Sequence, residues 1–232
     1  MYKKNSFLAI IPARGGSKGI KKKNLFEVDG KPLIQFTIET AKSSKYLDKI
    51  IVSTDAIEIA EKSKKYGADV PFLRPGHLAT DKSKTIDVVI HAIEALNNIG
   101  DYYDYVVLLQ PTQPLRTTED IDLSIEKIVD FKMNSLVSVV EVSENPILMR
   151  TINEDETLEN LLTMGSTVRR QDFPDFYKVD GSIYINKIDE NLSINTSLND
   201  NKLSYVMNKN YSVDIDSELD IEIFKYLYRK FF

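Results

Sequence analysis

Apolar positions follow two rhythms along this chain. Unbroken apolar runs of strand length occur at residues 7–12 (FLAIIP), 49–55 (KIIVSTD), 104–111 (DYVVLLQP) and 135–142 (SLVSVVEV). Such runs predict strands buried on both faces. Between them lie segments with apolar residues at helical spacing: 32–44 behind Pro32, 56–67 ending at Gly67, and 85–98. A fourth, 117–131, has Thr117 or Thr118 as its cap and acids in its first turn. Proline suits a helix start and glycine a helix end, and acids near the start meet the positive end of the helix dipole. The stretch 69–75 (DVPFLRP) predicts a short extended piece.

Regular alternation of strand and helix predicts an α/β fold, a mostly parallel sheet flanked by helices on both faces. After residue 142 the pattern changes. Residues 143–180 show no long helical period and predict short strands and loops, an arm inserted into a single domain that spans 1–232. Strands resume at 181–187 (GSIYINK) and 202–208 (KLSYVMN), and the amphipathic segment 217–232 predicts a closing helix. There is no internal repeat, low-complexity tract or linker.

Composition narrows the class. A net charge of −5 opposes a nucleic-acid partner, which selects a basic face. The absence of cysteine excludes disulfides, thiolate metal sites and a cysteine nucleophile, and fits a cytoplasmic setting. The first apolar run meets Pro12 instead of a small-residue cleavage site, and no apolar stretch approaches the roughly 20 residues that span a bilayer, so no membrane partner is expected.

Against that acidic background, IIPARGGSKGIKKKN at residues 10–24 gathers Arg14, Lys18, Lys21, Lys22 and Lys23 just after the first strand. Ligands of open parallel sheets bind at the carboxyl ends of strands. Glycines there let backbone N–H groups approach an anion, and the cations and Ser17 add charge and a donor. The chemistry suits a polyphosphate. Neither the mononucleotide loop G-x-x-x-x-G-K-[ST] nor the dinucleotide fingerprint G-x-G-x-x-G is present, which removes a nicotinamide dehydrogenase.

IPARGGSKGI…KN followed by GKPLI resembles the opening of the acylneuraminate cytidylyltransferases, a family that includes the legionaminic and pseudaminic acid enzymes. In the same order, 52–81 (VSTDAIEIAEKSKKYGADVPFLRPGHLATD), 108–122 (LLQPTQPLRTTEDID), 169–185 (RRQDFPDFYKVDGSIYI) and 212–220 (SVDIDSELD) resemble further blocks of that family. The resemblance covers nearly the whole chain. It implies a Rossmann-like sheet of the nucleotide-diphospho-sugar transferase type with a small dimerisation arm at 143–180. It also implies transfer of CMP from CTP to a nonulosonic acid with release of pyrophosphate, and a homodimer.

The resemblance further implies site residues. Ala13, Arg14, Gly15, Ser17, Lys18, Lys23, Asn24, Arg74 and Ser83 are nucleotide contacts, with Arg14 and Lys18 neutralising the leaving pyrophosphate. Gln110, Arg169, Arg170 and Tyr184 contact the sugar. Asp214 and Asp216 hold Mg²⁺, or Mn²⁺, and with Arg14 and Lys18 form the catalytic set. Strand alternation puts both aspartates on one face, and two hard oxygens plus phosphate oxygens and water suit Mg²⁺. The general base is left unassigned. Phe173 and Phe176 stand either in the wall of a partner's sugar site or in packing within the arm, and Arg116 either in the site or as a loop anchor. His77 and His91 receive no catalytic role, and Lys21 and Lys22 read as solvated surface cations. Asp180 stands where asparagine is usual in the family, a negative charge that is costly beside an acidic sugar unless paired. The same chemistry on an octulosonic acid, or a catalytically silent nucleotide-binding homologue, are the alternatives.

Overall fold

The computed structural model describes residues 1–17, 19–163, 167 and 169–232. The predicted rhythm is present. Strand β1 (Phe7–Pro12) leads through the basic loop to a small hairpin, β2 (Glu27–Val28) and β3 (Lys31–Pro32), and then to helix α1 (Leu33–Lys42). The hairpin was not anticipated. Its signal is the Asp29–Gly30 pair, both at positive φ (49° and 77°), the geometry of a primed two-residue turn. Next come β4 (Lys49–Ser53), α2 (Ile57–Tyr66), α3 (Thr85–Asn97), β5 (Tyr105–Leu108), α4 (Thr118–Asp130) and β6 (Ser135–Glu141). Gly67 closes α2 at φ 92°, and Thr117 opens α4 in a capping box with Asp120.

The irregular segment contains a short antiparallel pair, β7 (Arg150–Ile152) and β8 (Leu158–Asn160). β9 (Tyr177–Lys187) starts inside the stretch expected to be arm, and β10 (Leu203–Val206) and α5 (Glu218–Phe231) complete the chain. The central sheet has six strands in the order β10-β6-β9-β5-β1-β4. β1 pairs in parallel with β4 and β5, and β10 with β6, whereas β9 runs antiparallel between β5 and β6.

Side chains alternate across the sheet. Phe7, Ala9 and Ile11 face α1, α2 and α4, and Leu8 and Ile10 face α3. Both faces are covered, which is why the strand sequences read as unbroken apolar runs. A separate cluster bears directly on function. Ile20 from the basic loop, Val213 and Ile215 from the segment before α5, and Ile221 and Phe224 from α5 pack with Leu33, Phe36 and Leu115. Each buried isoleucine or valine contributes about 2 kcal/mol by removal from water. That clamps the last part of the chain against the first loop. Among the described residues no helix is long and apolar enough to cross a membrane.

Candidate active site

The loop after β1 is held from within. The Ala13 N–H donates to the Ser53 carbonyl at 2.9 Å, and the Ala13 side chain lies in the core. The Gly15 N–H donates to Asp55 Oδ1 at 2.8 Å, and a Cβ at this position would stand 2.8 Å from the Ala56 Cβ. The Ser17 hydroxyl donates to the Ile20 carbonyl at 2.5 Å and accepts from the Lys23 N–H at 3.1 Å. Buried Asn24 donates to the Arg14 carbonyl at 3.0 Å. These bonds spend the loop's small polar groups on its own shape. Arg14, Ser17, Lys23 and Asn24 line a cavity of about 370 Å³, and Ala13 and Gly15 do not. Lys18 lies outside the described residues. Lys21 and Lys22 are exposed, as read from the sequence, and Lys22 also pairs with Glu58 at 2.7 Å.

Arg74 and Ser83 line the same cavity. Arg74 is buried, and its guanidinium donates to the Ser53 hydroxyl at 3.1 Å and to the Ser53 carbonyl. Burial pushes it down to about 10, with the Arg14 charge adding to the shift and Asp55 opposing it. The Ser83 hydroxyl is engaged with its own turn, with the His77 carbonyl at 3.0 Å and the Thr80 hydroxyl at 2.8 Å. Asp81, missed by sequence reasoning although it ends the quoted LATD motif, pairs with Arg14 at 2.7 Å and closes this wall.

The C-terminal segment forms the opposite wall. Val213 and Ile215 are buried while Asp214 and Asp216 point outward, the predicted alternation. The Ile215 N–H donates to the Thr112 carbonyl at 2.9 Å. The Lys23 ammonium donates to the Ile215 carbonyl at 2.7 Å and to Asp216 Oδ1 at 2.9 Å. Gly19 is obligatory here, because a Cβ would overlap the Asp216 carbonyl oxygen. The Asp214 carboxyl is held above its ordinary value by enclosure and then by the Asp216 charge, while a hydrogen bond from Thr112 and the Lys23 charge oppose the shift. The described residues hold no cluster of three or more His, Asp or Glu side chains for a metal. Asp216, which lines the cavity, and the more enclosed Asp214 two positions before it supply two hard oxygen donors that fit a divalent ion completing its shell with phosphate oxygens and water.

Gln110, at the end of β5, lines this cavity and also a second one of about 530 Å³. The second cavity is walled by Tyr184 of β9 and the polar turn Asn195–Asn199, and the Tyr184 hydroxyl donates to Asn199 at 3.0 Å. Burial first, then the Asp180 and Asp214 charges, push this phenol up to about 12. Asn199 had no sequence signal beyond a polar loop.

Arg116 proves to be an anchor, buried beneath Gln110 and donating to its carbonyl at 2.9 Å. The concern over Asp180 is corrected. It is buried and accepts from the Ser182 N–H at 3.1 Å, the Ser182 hydroxyl at 2.7 Å and the Ser138 hydroxyl, with the Arg116 charge nearby. Its charge is balanced within the protein.

Arg169 lies on the arm, largely exposed and paired with Asp172 at 3.0 Å, and lines neither cavity within one chain. The Arg170 side chain lies outside the described residues. Gln171, Phe173 and Phe176 line a separate hollow with Leu148 and Met149. His77 and His91 line neither cavity, and His91 packs edge-on against Phe72.

The arrangement offers a cationic pocket with charge for a polyphosphate, Asp216 at its rim with Asp214 behind it and outside the lining, and an adjoining polar pocket. The comparisons agree. Residues 8–223 match the cytidylyltransferase family. The chain is 36% identical over 223 residues to the CMP-N,N'-diacetyllegionaminic acid synthase of Legionella pneumophila, covering 92% of each chain. It is 34% identical to the pseudaminic acid cytidylyltransferase of Campylobacter jejuni, covering 96% of each. In fold it is similar to a CTP-complexed CMP:2-keto-3-deoxy-manno-octonic acid synthetase, with a TM-score of 0.73 at 16% identity, covering 97% of this chain and 99% of that one. By sequence, over nearly its whole length, the chain belongs to the cytidylyltransferase family.

Proposed function

We propose that this protein couples CTP to a nonulosonic acid, a sugar acid of the sialic, legionaminic or pseudaminic kind, giving the CMP-sugar and pyrophosphate. The observation that carries this reading is the meeting of two cavities at Gln110, one lined by Arg14, Lys23 and Arg74, the other by Tyr184 and a polar turn. The named relatives act on legionaminic and pseudaminic acids.

In the reaction the sugar's anomeric oxygen attacks the α-phosphorus. The bond from that phosphorus to the bridging oxygen of the β-phosphate breaks, pyrophosphate departs with the bonding electrons, and the hydroxyl proton is released. Such transfers depend on positioning and charge stabilisation more than on a protein nucleophile. Arg14 and Lys23 face the cavity where the triphosphate would lie, and Lys18, as the resemblance implies, adds to them. Ala13, Gly15, Ser17 and Asn24 hold the loop in shape; Arg74 and Ser83 line the nucleotide side. Asp214 and Asp216 would hold Mg²⁺ or Mn²⁺, which when bound supplies charge neutralisation at the phosphates.

We assign the arm to a homodimer interface, supported by the exposure of Ile152, Leu158 and Leu161. A partner's arm is then the route by which Arg169 or Arg170 reaches an acceptor cavity, where a guanidinium grips a carboxylate. The cytoplasm, which supplies CTP, is the setting.

Pyrophosphate release is measured with Mg²⁺, each nucleoside triphosphate and a panel of sialic, legionaminic, pseudaminic and octulosonic acids. Release with CTP and one nonulosonic acid is the expected result. Release only with an octulosonic acid replaces the acceptor. Silence across the panel with intact calorimetric CTP binding marks a non-catalytic nucleotide binder.

A further inference from the structure

β9 is not a regular strand. Val139 of β6 stands opposite Val179, but Val137 stands opposite Tyr184, so residues 180–183 are bulged against a single Ser138. Bulges re-aim side chains beside functional sites. This one is stitched down on all sides. The Ser138 hydroxyl donates to Asp180 and accepts from the Ile183 N–H at 2.8 Å. The Gln113 amide donates to the Asp180 carbonyl.

Behind the bulge sits Arg116. Its guanidinium donates to the Ser182 carbonyl at 2.5 Å, the Thr37 hydroxyl at 2.8 Å and the Gln110 carbonyl at 2.9 Å, while its Nε finds no partner. Ser182 therefore takes a hydrogen bond from the buried cation with its carbonyl and gives two to the buried anion with its N–H and hydroxyl. The charges are coupled through one residue. Burial pushes Arg116 down to about 10, and Asp180 leads the opposing influences. A buried charge whose counter-charge is removed is strongly penalised, so each holds the other in place.

The bulge also touches the site. Gly181, at φ +81°, leaves so little room that a Cβ there would lie 3.2 Å from Gln110 Oε1 and 3.8 Å from the Tyr184 hydroxyl. The bulge apex lies against Gln110, which lines both cavities, and near Tyr184, which lines the second.

We propose that Arg116 and Asp180, coupled through Ser182, are positioning residues that set the Gln110 side chain against Tyr184, and that their mutual neutralisation keeps the acceptor cavity open to an acidic sugar. This rests on the proposed acceptor reading. Neither residue touches the reacting atoms. The coupling of Asp180 to Arg116 through Ser182 explains how the protein carries a buried carboxylate here.

The test uses the full chain as wild type, Asp180→Asn and Ser182→Ala. Asparagine keeps the shape, and its amide donates to the Ser182 hydroxyl, which accepts as readily as it donates, so mainly the charge is removed. The expected result is a rise of about tenfold in KM for the acceptor with KM for CTP within about twofold, since misplaced positioning groups affect the substrate they orient. The Gln110 side-chain amide resonance is expected to shift in the absence of any substrate. Ser182→Ala removes the hydroxyl bond to Asp180 while both charges and the two backbone bonds of residue 182 remain, and moves both readouts in the same direction by a smaller amount; it decides the matter if Asp180→Asn does not fold. A lower melting temperature with unchanged acceptor KM and an unmoved Gln110 resonance overturns the proposal. If wild type turns over no acid in the panel, the acceptor reading is what fails. The Gln110 resonance alone then decides the positioning role, an unmoved signal refuting it.

Discussion

Lys23 occupies a position that composition alone would not distinguish from its neighbours Lys21 and Lys22. What sets it apart is a chain that turns back, so that its ammonium reaches the Ile215 carbonyl and Asp216. Lys23→Ala is expected to lower kcat/KM for pyrophosphate release about 10²-fold, the usual loss on removing one charge-stabilising donor. Its melting temperature should change little, because the Asp216 end of the pair is exposed and such pairs add little stability. A variant as active as wild type would remove Lys23 from the chemistry. His91 gives a prediction of another kind. Partial burial holds its imidazole below the ordinary 6.5, with Arg74 and His77 adding to the shift and Glu94 opposing it. The unfolded chain takes up the proton first, so the stabilisation is full above 6.5 and is lost as pH falls through the lowered folded value. His91→Phe should shrink the difference in melting temperature between about pH 7.5 and about pH 5. An unchanged difference would mean that His91 does not titrate with folding. Much of the site was legible at this scale, because Arg14, Lys23, Arg74, Gln110 and Asp216 converge on one cavity. Asp81 and Ser182 were not legible. Their roles depend on partners 67 and 66 positions away in the chain, Arg14 and Arg116, and no local pattern encodes such pairings.

The strands and helices were read correctly wherever one rhythm ran long enough to be unambiguous. Two elements escaped. The β2–β3 hairpin is too short to show alternation, and only its Asp-Gly turn marks it. The bulge in β9 is hidden because DGSIYI reads as an ordinary strand start. Its kink comes from Ser138 on another strand, and antiparallel placement between β5 and β6 follows from tertiary pairing. The segment before α5 shows how an element can carry function through packing. Ile215 is fully buried and its backbone ties to Thr112 and Lys23. Ile215→Ala is expected to cost about 2–5 kcal/mol, seen as a lower urea midpoint, and to reduce turnover by loosening Asp216. Full activity at the reduced stability would separate the packing from the site.

At the scale of the whole molecule, a sheet covered on both faces supports a site built only at one end of its strands. The arm leaves that layered body and exposes apolar side chains, including Ile152 at 75% and Leu158 at 65%. Replacing both with lysine is expected to halve the mass seen by light scattering and to raise KM for the acceptor. A wild-type protein already monomeric at working concentration would refute the dimer.

Lys23 also meets its carbonyl partner across 192 positions of sequence, near opposite ends of the chain. A ribosome delivers the basic loop long before the aspartate segment that Lys23 meets 192 positions later. During synthesis the sheet strands up to β9 are available well before the site exists, since domains begin to fold from the N-terminal side. A polypeptide cut short before residue 213 therefore retains the basic loop and all six strands of the central sheet but lacks Asp214 and Asp216. On the proposed role of Asp214 and Asp216, such a truncated chain is expected to fold its sheet and show no pyrophosphate release.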